Sequence, residues 1–210
     1  MKKLDYVDYF FIALIMLFLG WLTACKETTS VEKPTPVPTP IFSPTPVVRY
    51  AWNNLLWDAE LNDAIFREGL LNVNPADAKE FNLNPKSMES WGKILVMMAK
   101  FESNWKPQTT YQENFNDRFG NPIISTGLFQ ISIESSNGRG CAFKNQQELF
   151  DPIKNIKCSV KMFAYYVKLD NRIAGNISGK WRGGARYWAV LRGTTTHTKK
   201  ALESIKKANN

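Results

Sequence analysis

A glutamate on an otherwise apolar helical stripe is the residue of this chain best suited to chemistry. Trp91, Leu95, Met98, Glu102 and Trp105 follow at spacings of four, three, four and three, which is one helix face. Ser87 to Trp105 reads as that helix, with Asn84-Pro85 as its start signal and Pro107 as its stop. Four of the five are large and apolar, so the face turns inward and carries Glu102 to a place where an ionised carboxylate is costly. Desolvation and the negative end of the helix dipole both favour the protonated form. A carboxyl that keeps its proton near neutral pH can donate it to a leaving oxygen. The plainer alternative is a glutamate that edges the core and reaches water. The loop Ser125 to Ser132 follows some twenty residues later. Gly127 permits a tight turn or a close backbone approach. Gln130 and the Ser125 and Thr126 hydroxyls can hydrogen-bond sugar amides and hydroxyls, or they can cap a short helix whose Leu128, Phe129 and Ile131 enter the core.

These segments resemble a known family. Glu102-Ser103 is similar to the Glu-Ser pair of the soluble lytic transglycosylases and goose-type lysozymes. Gly127-Leu128-Phe129-Gln130-Ile131 resembles their Gly-Leu-Met-Gln motif, and Asp151-Pro152 with Asn155-Ile156 resembles the start of their next helix. Ala185 to Leu191 occupies the place of their Ala-Tyr-Asn motif, with Tyr187-Trp188 where the family has Tyr-Asn. The match runs over residues 85 to 192. It implies a mainly α, lysozyme-like α+β domain with a glycan groove. It also implies cleavage between N-acetylmuramic acid and N-acetylglucosamine of peptidoglycan. Glu102 would be the catalytic acid and then base, with Ser103, Ser125, Gly127, Gln130 and Tyr187 on the substrate side. In lytic transglycosylases the muramic C6 hydroxyl attacks and a 1,6-anhydro sugar forms. The resemblance gives Tyr187 a second expected role, a hydrogen bond that orients Glu102.

Other elements must position that site. Asp151 as N-cap and Pro152 at the first position begin a strong helix with Ile156, Val160, Phe163, Ala164 and Val167 on its packed face. Residues 50 to 70 suggest an amphipathic helix with Leu55, Leu56, Ala59, Ile65 and Phe66 as its apolar set. A short helix is expected from Asn74-Pro75 to Phe81, and a basic one over residues 196–210 with Leu202 and Ile205 on one side. Residues 105 to 126 lack periodicity, with a bend at Gly120-Asn121-Pro122, and such lengths in a compact domain are often functional. A hydrolase would need a second carboxylate to activate water. Glu113 and Asp117 are the candidates here. Asn171 to Arg182 reads as a Gly-rich connection. Trp181 and Trp188 can stack on sugar rings or fill the core.

The N-terminus reads as an export signal. Lys2 and Lys3 precede thirteen apolar residues, Phe10 to Leu22, which is short for a membrane span. Leu22-Thr23-Ala24-Cys25 resembles a bacterial lipobox, which implies acyl chains on Cys25 and cleavage before it. Lys26 in the next position resembles outer-membrane sorting, with the inner membrane as the alternative. The prolines of residues 26–48 make an extended tether. At ~3.1 Å per residue, about twenty residues reach ~60 Å. Cys141 and Cys158 remain of the three cysteines, and a disulfide in an oxidising compartment is their economical pairing. With a single histidine the chain offers no metal-ligand set.

The formal net charge is +8. Removal of residues 1–24 takes away Lys2, Lys3, Asp5 and Asp8 and leaves +8 unchanged. That excess suits an anionic polymer or surface, and no nucleic-acid motif accompanies it. The expected organisation is a signal peptide (1–24), a lipidated cysteine and tether (25–48), an N-terminal helical layer (49–84), and the lysozyme-like transglycosylase domain with its basic helix (85–210). The expected protein is an envelope lipoprotein and lyase, facing the periplasm. It needs no cofactor or metal, binds peptidoglycan strands and the membrane but no nucleic acid, and is a monomer. A hydrolytic muramidase on the same fold and a non-catalytic peptidoglycan-binding lipoprotein are the alternatives.

Overall fold

The computed structural model describes residues 47–210. The signal segment, Cys25 and the tether lie outside the described residues. The described chain runs helix α1 (Leu55–Arg67), short 3-10 turns, α2 (Met88–Ser103), strands β1 (Thr110–Asn116) and β2 (Pro122–Thr126), and α3 (Ile133–Asn137). Then come α4 (Pro152–Asp170), β3 (Ala174–Ile177), β4 (Lys180–Gly183), two 3-10 turns and α5 (Thr196–Lys206).

Helices α2 and α4 form the core. Trp91, Ile94, Leu95 and Met98 of α2 are fully buried against Ile156, Val160, Phe163 and Val167 of α4 and against Leu128, Phe129 and Ile131. The expected packed face of α4 is the one buried. Asp151 caps α4 by accepting from the Ile153 and Lys154 N–H groups, with Pro152 in the first turn. Such burial stabilises by ~1.5–3 kcal/mol per large apolar side chain.

Several local expectations are corrected. Helix α2 ends at Ser103, because Asn104 and then Trp105 take left-handed φ values of 53° and 61°. Trp105 therefore leaves the helix and returns its indole N–H to the Val96 carbonyl at 2.9 Å. The aperiodic segment is an antiparallel hairpin, with Thr110 opposite Thr126 and an irregularity between Gln112 and Asn116. The Gly-rich connection is a second hairpin, β3–β4. Both hairpins are exposed enough for their sequence to lose the alternation of a half-buried strand. In α1 the inward residues are Asp58, Leu61, Ala64 and Ile65, while Leu55, Leu56 and Phe66 face out. Asp58 can lie inward because Arg49, the Trp52 indole and the Tyr50 N–H all reach its carboxylate.

Cys141 and Cys158 are joined, tying the loop after α3 to α4 across seventeen residues. Closing a loop of that length contributes ~3 kcal/mol in the chain-entropy account.

Candidate active site

Glu102 stands one residue before the end of α2, at the wall of an open cleft of ≈ 540 Å³. The opposite wall is the hairpin. Tyr111, Glu113 and Phe115 of β1 all line the cleft. Gln130, Tyr187 and Arg192 close it from the remaining side.

The Glu102 carboxyl is pushed up to about 8, chiefly by burial and then by the negative charge of Glu113. Arg192 and the Val190 backbone N–H pull the other way without reversing the shift. The group thus keeps its proton at neutral pH and can release it to a reacting oxygen. Glu102 is half-buried on the helix face expected to carry it.

The loop after β2 is held to α2 and α4 by polar side chains that sequence alone assigned to substrate. Ser103 is buried, and its hydroxyl donates to the Leu128 carbonyl at 2.9 Å and to Ala99 at 3.1 Å. It does not line the cleft. Its expected substrate role is corrected: it clamps α2 to the loop. Gly127 is corrected in the same way. At φ 84° it is buried, and a Cβ there would meet Asn155 Nδ2 at 2.3 Å and the Leu149 carbonyl at 2.5 Å. The glycine permits contact between loop and α4, and not between loop and substrate. Gln130 does line the cleft, but its amide is committed to the Thr109 and Gly127 carbonyls at 2.9 and 2.8 Å. Only the remaining lone pairs of its oxygen are free for a sugar.

Ser125 lines the cleft and donates its hydroxyl to Glu113 at 2.6 Å. Asp117, the other candidate second carboxylate, turns away from the cleft. It accepts from the Phe119 and Asn121 N–H groups, both at 2.8 Å, and caps its own turn. Tyr187 lines the cleft but does not bond Glu102. Its hydroxyl accepts from the Ser132 N–H at 3.0 Å and donates toward the Gln130 carbonyl at 3.5 Å. Burial raises its own pKa above the ordinary tyrosine value, so it stays a neutral donor and acceptor. Trp188 is a core residue, its indole N–H on the Phe129 carbonyl at 2.9 Å. His197 is exposed.

Arg192 and Arg186 were not anticipated. Arg192 is gripped by the Ala185, Arg186 and Tyr187 carbonyls and sits at the cleft with its charge toward Glu102 and Glu113. Arg186 is held bidentately by Asp170 at 2.6 and 2.7 Å, and Arg186 is the first cause that keeps the Asp170 carboxyl down at about 2. Neither arginine carries a spacing that marks it.

A mainly helical domain with a protonated glutamate in the wall of an open, mixed polar and aromatic cleft defines the lysozyme-like class. The model of the transglycosylase SLT domain matches residues 79–179. The solved structure of wild-type Bd0314 DslA is 41% identical, with a TM-score of 0.65 over 73% of this chain and 89% of that one. A glutamate-to-glutamine variant of the same protein is 39% identical, with a TM-score of 0.66 over 74% and 91%. No curated protein sequence matches the chain. The chain belongs to the transglycosylase SLT family, and its function is peptidoglycan-directed, of lytic transglycosylase type.

Proposed function

We propose that this protein is a lytic transglycosylase that cuts the β-1,4 bond from N-acetylmuramic acid to N-acetylglucosamine, with Glu102 as general acid and then base. One observation carries the reading: Glu102 stands half-buried in the wall of the cleft that Glu113 also lines, a setting that pushes its carboxyl up to about 8. In the first step the bond between muramic C1 and the glycosidic oxygen breaks, and the Glu102 proton goes to that oxygen. In the second the Glu102 carboxylate takes the proton of the muramic C6 hydroxyl as its oxygen bonds to C1. The acid is restored and no water is consumed. Two solved variants of DslA each replace one glutamate, at positions eleven apart. Glu102 and Glu113 are also eleven apart.

Glu113 favours a second reading. A carboxylate in the same cleft, steadied by Ser125, can activate water and make the enzyme a hydrolytic muramidase. Digestion of purified peptidoglycan, with products separated by mass, decides between them. The expected products are 1,6-anhydro-muropeptides. Hydrated reducing ends that disappear in Glu113→Gln would establish the hydrolase instead.

The envelope address is part of the same proposal: Cys25 carries the lipid and holds the domain at the outer membrane, on the periplasmic side. Its support is the lipobox-like Leu22-Thr23-Ala24-Cys25 after an apolar segment. Labelled palmitate should enter the wild-type chain and not Cys25→Ala. Equal labelling of both would remove the anchor.

A further inference from the structure

Two cations, Arg186 and Arg192, share the cleft wall with two carboxyls, Glu102 and Glu113. Arg186 is committed to Asp170 through two bonds. Arg192 differs. No carboxylate lies within ion-pair distance of it among the described residues. Three main-chain carbonyls hold its guanidinium instead. Nε donates to Ala185 at 2.8 Å, and Nη2 to Arg186 and Tyr187 at 3.0 and 3.3 Å. The Trp181 ring centre stands 5.8 Å from its Cζ. Neutral groups thus fix the guanidinium, and its charge has no contact partner at the cleft wall.

Those carbonyls do not call for a full charge, since a neutral amide can donate to them as well. Burial works against the Arg192 cation, and the groups that favour it are Glu102 and Glu113. The same turn reaches Glu102 in a second way. Val190, two residues earlier, gives its backbone N–H to the Glu102 carboxyl. The short turn Ala189–Leu191, with Arg192 at its end, therefore brings both a donor and a charge to one carboxyl. From the other elements, Glu113 of β1 faces Glu102 with a negative charge. Tyr187 faces it as a neutral phenol.

Glu102 changes charge during the reaction proposed above. While it keeps its proton, Glu113 and Arg192 balance. Once that proton has gone to the glycosidic oxygen, the wall carries two carboxylates. We propose that Arg192 is a positioning residue for catalysis: a fixed counter-charge for the Glu102 carboxylate between the acid step and the base step. The inference rests on the reading of Glu102 as acid and then base. A guanidinium clamped on backbone stays in place when Glu102 ionises, so no reorganisation is required at that moment. A nearby opposite charge favours the ionised form, and Arg192 acts in that direction on Glu102, against burial and Glu113. It makes Glu102 a stronger acid than burial alone would allow.

Titration of the Glu102 carboxyl tests this without turnover. The unit Pro44–Asn210 contains the apolar core of the described residues and the disulfide, so residues 44–210 serve. Glutamate would be labelled with carbon-13 at the carboxyl and followed by NMR against pH, with the Glu102 signal identified by its loss in Glu102→Gln. Arg192→Gln keeps amide donors for the carbonyls and loses the charge, whereas Arg192→Lys keeps the charge. Arg192→Met is a second neutral variant. The Glu102 midpoint is expected to rise by ~1 pH unit in the neutral variants and to stay within ~0.3 of wild type in Arg192→Lys. The alkaline limit of peptidoglycan cleavage should move up with it. Below that limit kcat should fall ~10-fold in Arg192→Gln, with KM within a factor of ~3. A Glu102 midpoint that stays at the wild-type value in the neutral variants would overturn the proposal and leave Arg192 as a staple of its turn. So would an Arg192→Lys midpoint that moves as far as that of Arg192→Gln. A midpoint that moves as expected in a protein that cuts no peptidoglycan would sink the transglycosylase reading and leave the coupling of Arg192 to Glu102 standing.

Discussion

Glu102→Gln is expected to reduce turnover of peptidoglycan by ~10³-fold or more while leaving strand binding within a factor of a few, since an amide cannot donate the catalytic proton. Wild-type activity should fall as pH rises through about 8, where Glu102 ionises. The same shift has a stability signature of fixed sign. The folded pKa lies above the ordinary value of 4.5, so the neutral carboxyl favours the fold. Its contribution is complete below pH 4.5 and is lost progressively as pH rises toward about 8, because the unfolded chain ionises first. Each unit of difference is worth at most ~1.4 kcal/mol, and contact with the solvated cleft reduces the total, to ~2 kcal/mol. Glutamine does not ionise, so Glu102→Gln should melt higher than wild type at pH 7.5 and about level with it at pH 4. A difference in melting temperature that stays flat across this range would mean that the carboxyl is already ionised at neutrality. The acid role would then belong to another group.

How far the site was legible depends on what each side chain faces. The helix face of Trp91, Leu95, Met98 and Glu102 could be read from spacing alone, because the core dictates the period and Glu102 shares the stripe. Trp105 continued the period but not the helix, since the left-handed Asn104 stops it locally. Of the loop residues, Ser125 and Gln130 do line the cleft, whereas Gly127 was given the wrong partner. Ser103 and Gly127 face backbone, and nothing in a spacing distinguishes a hydroxyl that meets a carbonyl from one that meets a sugar. Tyr187 likewise serves Ser132, a neighbour that only the folded chain supplies. In α1 the apolar pattern pointed outward at Leu55, Leu56 and Phe66, against the rule that such residues turn in.

Asn155→Leu is expected to destabilise the domain by ~3–5 kcal/mol, although the side chains are nearly equal in size. Asn155 is fully buried and makes three bonds to backbone. It accepts from the Phe129 N–H at 3.0 Å and donates to the Thr126 and Leu149 carbonyls, both at 3.0 Å. Leucine leaves all three without that partner, and a buried polar group stranded in this way costs ~1–3 kcal/mol. Against a total stability of ~5–15 kcal/mol the melting temperature should fall by roughly 10 °C or more. Activity should fall too, at temperatures where the variant is folded, because Asn155 holds the loop whose Gly127 N–H and Gln130 amide donate to the Thr109 carbonyl at the cleft. Asn155→Asp separates the causes. It keeps the acceptor for Phe129 but loses both donors, and it sets a carboxylate beside two carbonyls. Raising the pH should therefore destabilise it further, whereas Asn155→Leu should show no such dependence. If Asn155→Leu melted within about 2 °C of wild type, the loop's position would have to be credited to Ser103 and Gln130. The double variant with Ser103→Ala would then show the loss that the single one did not.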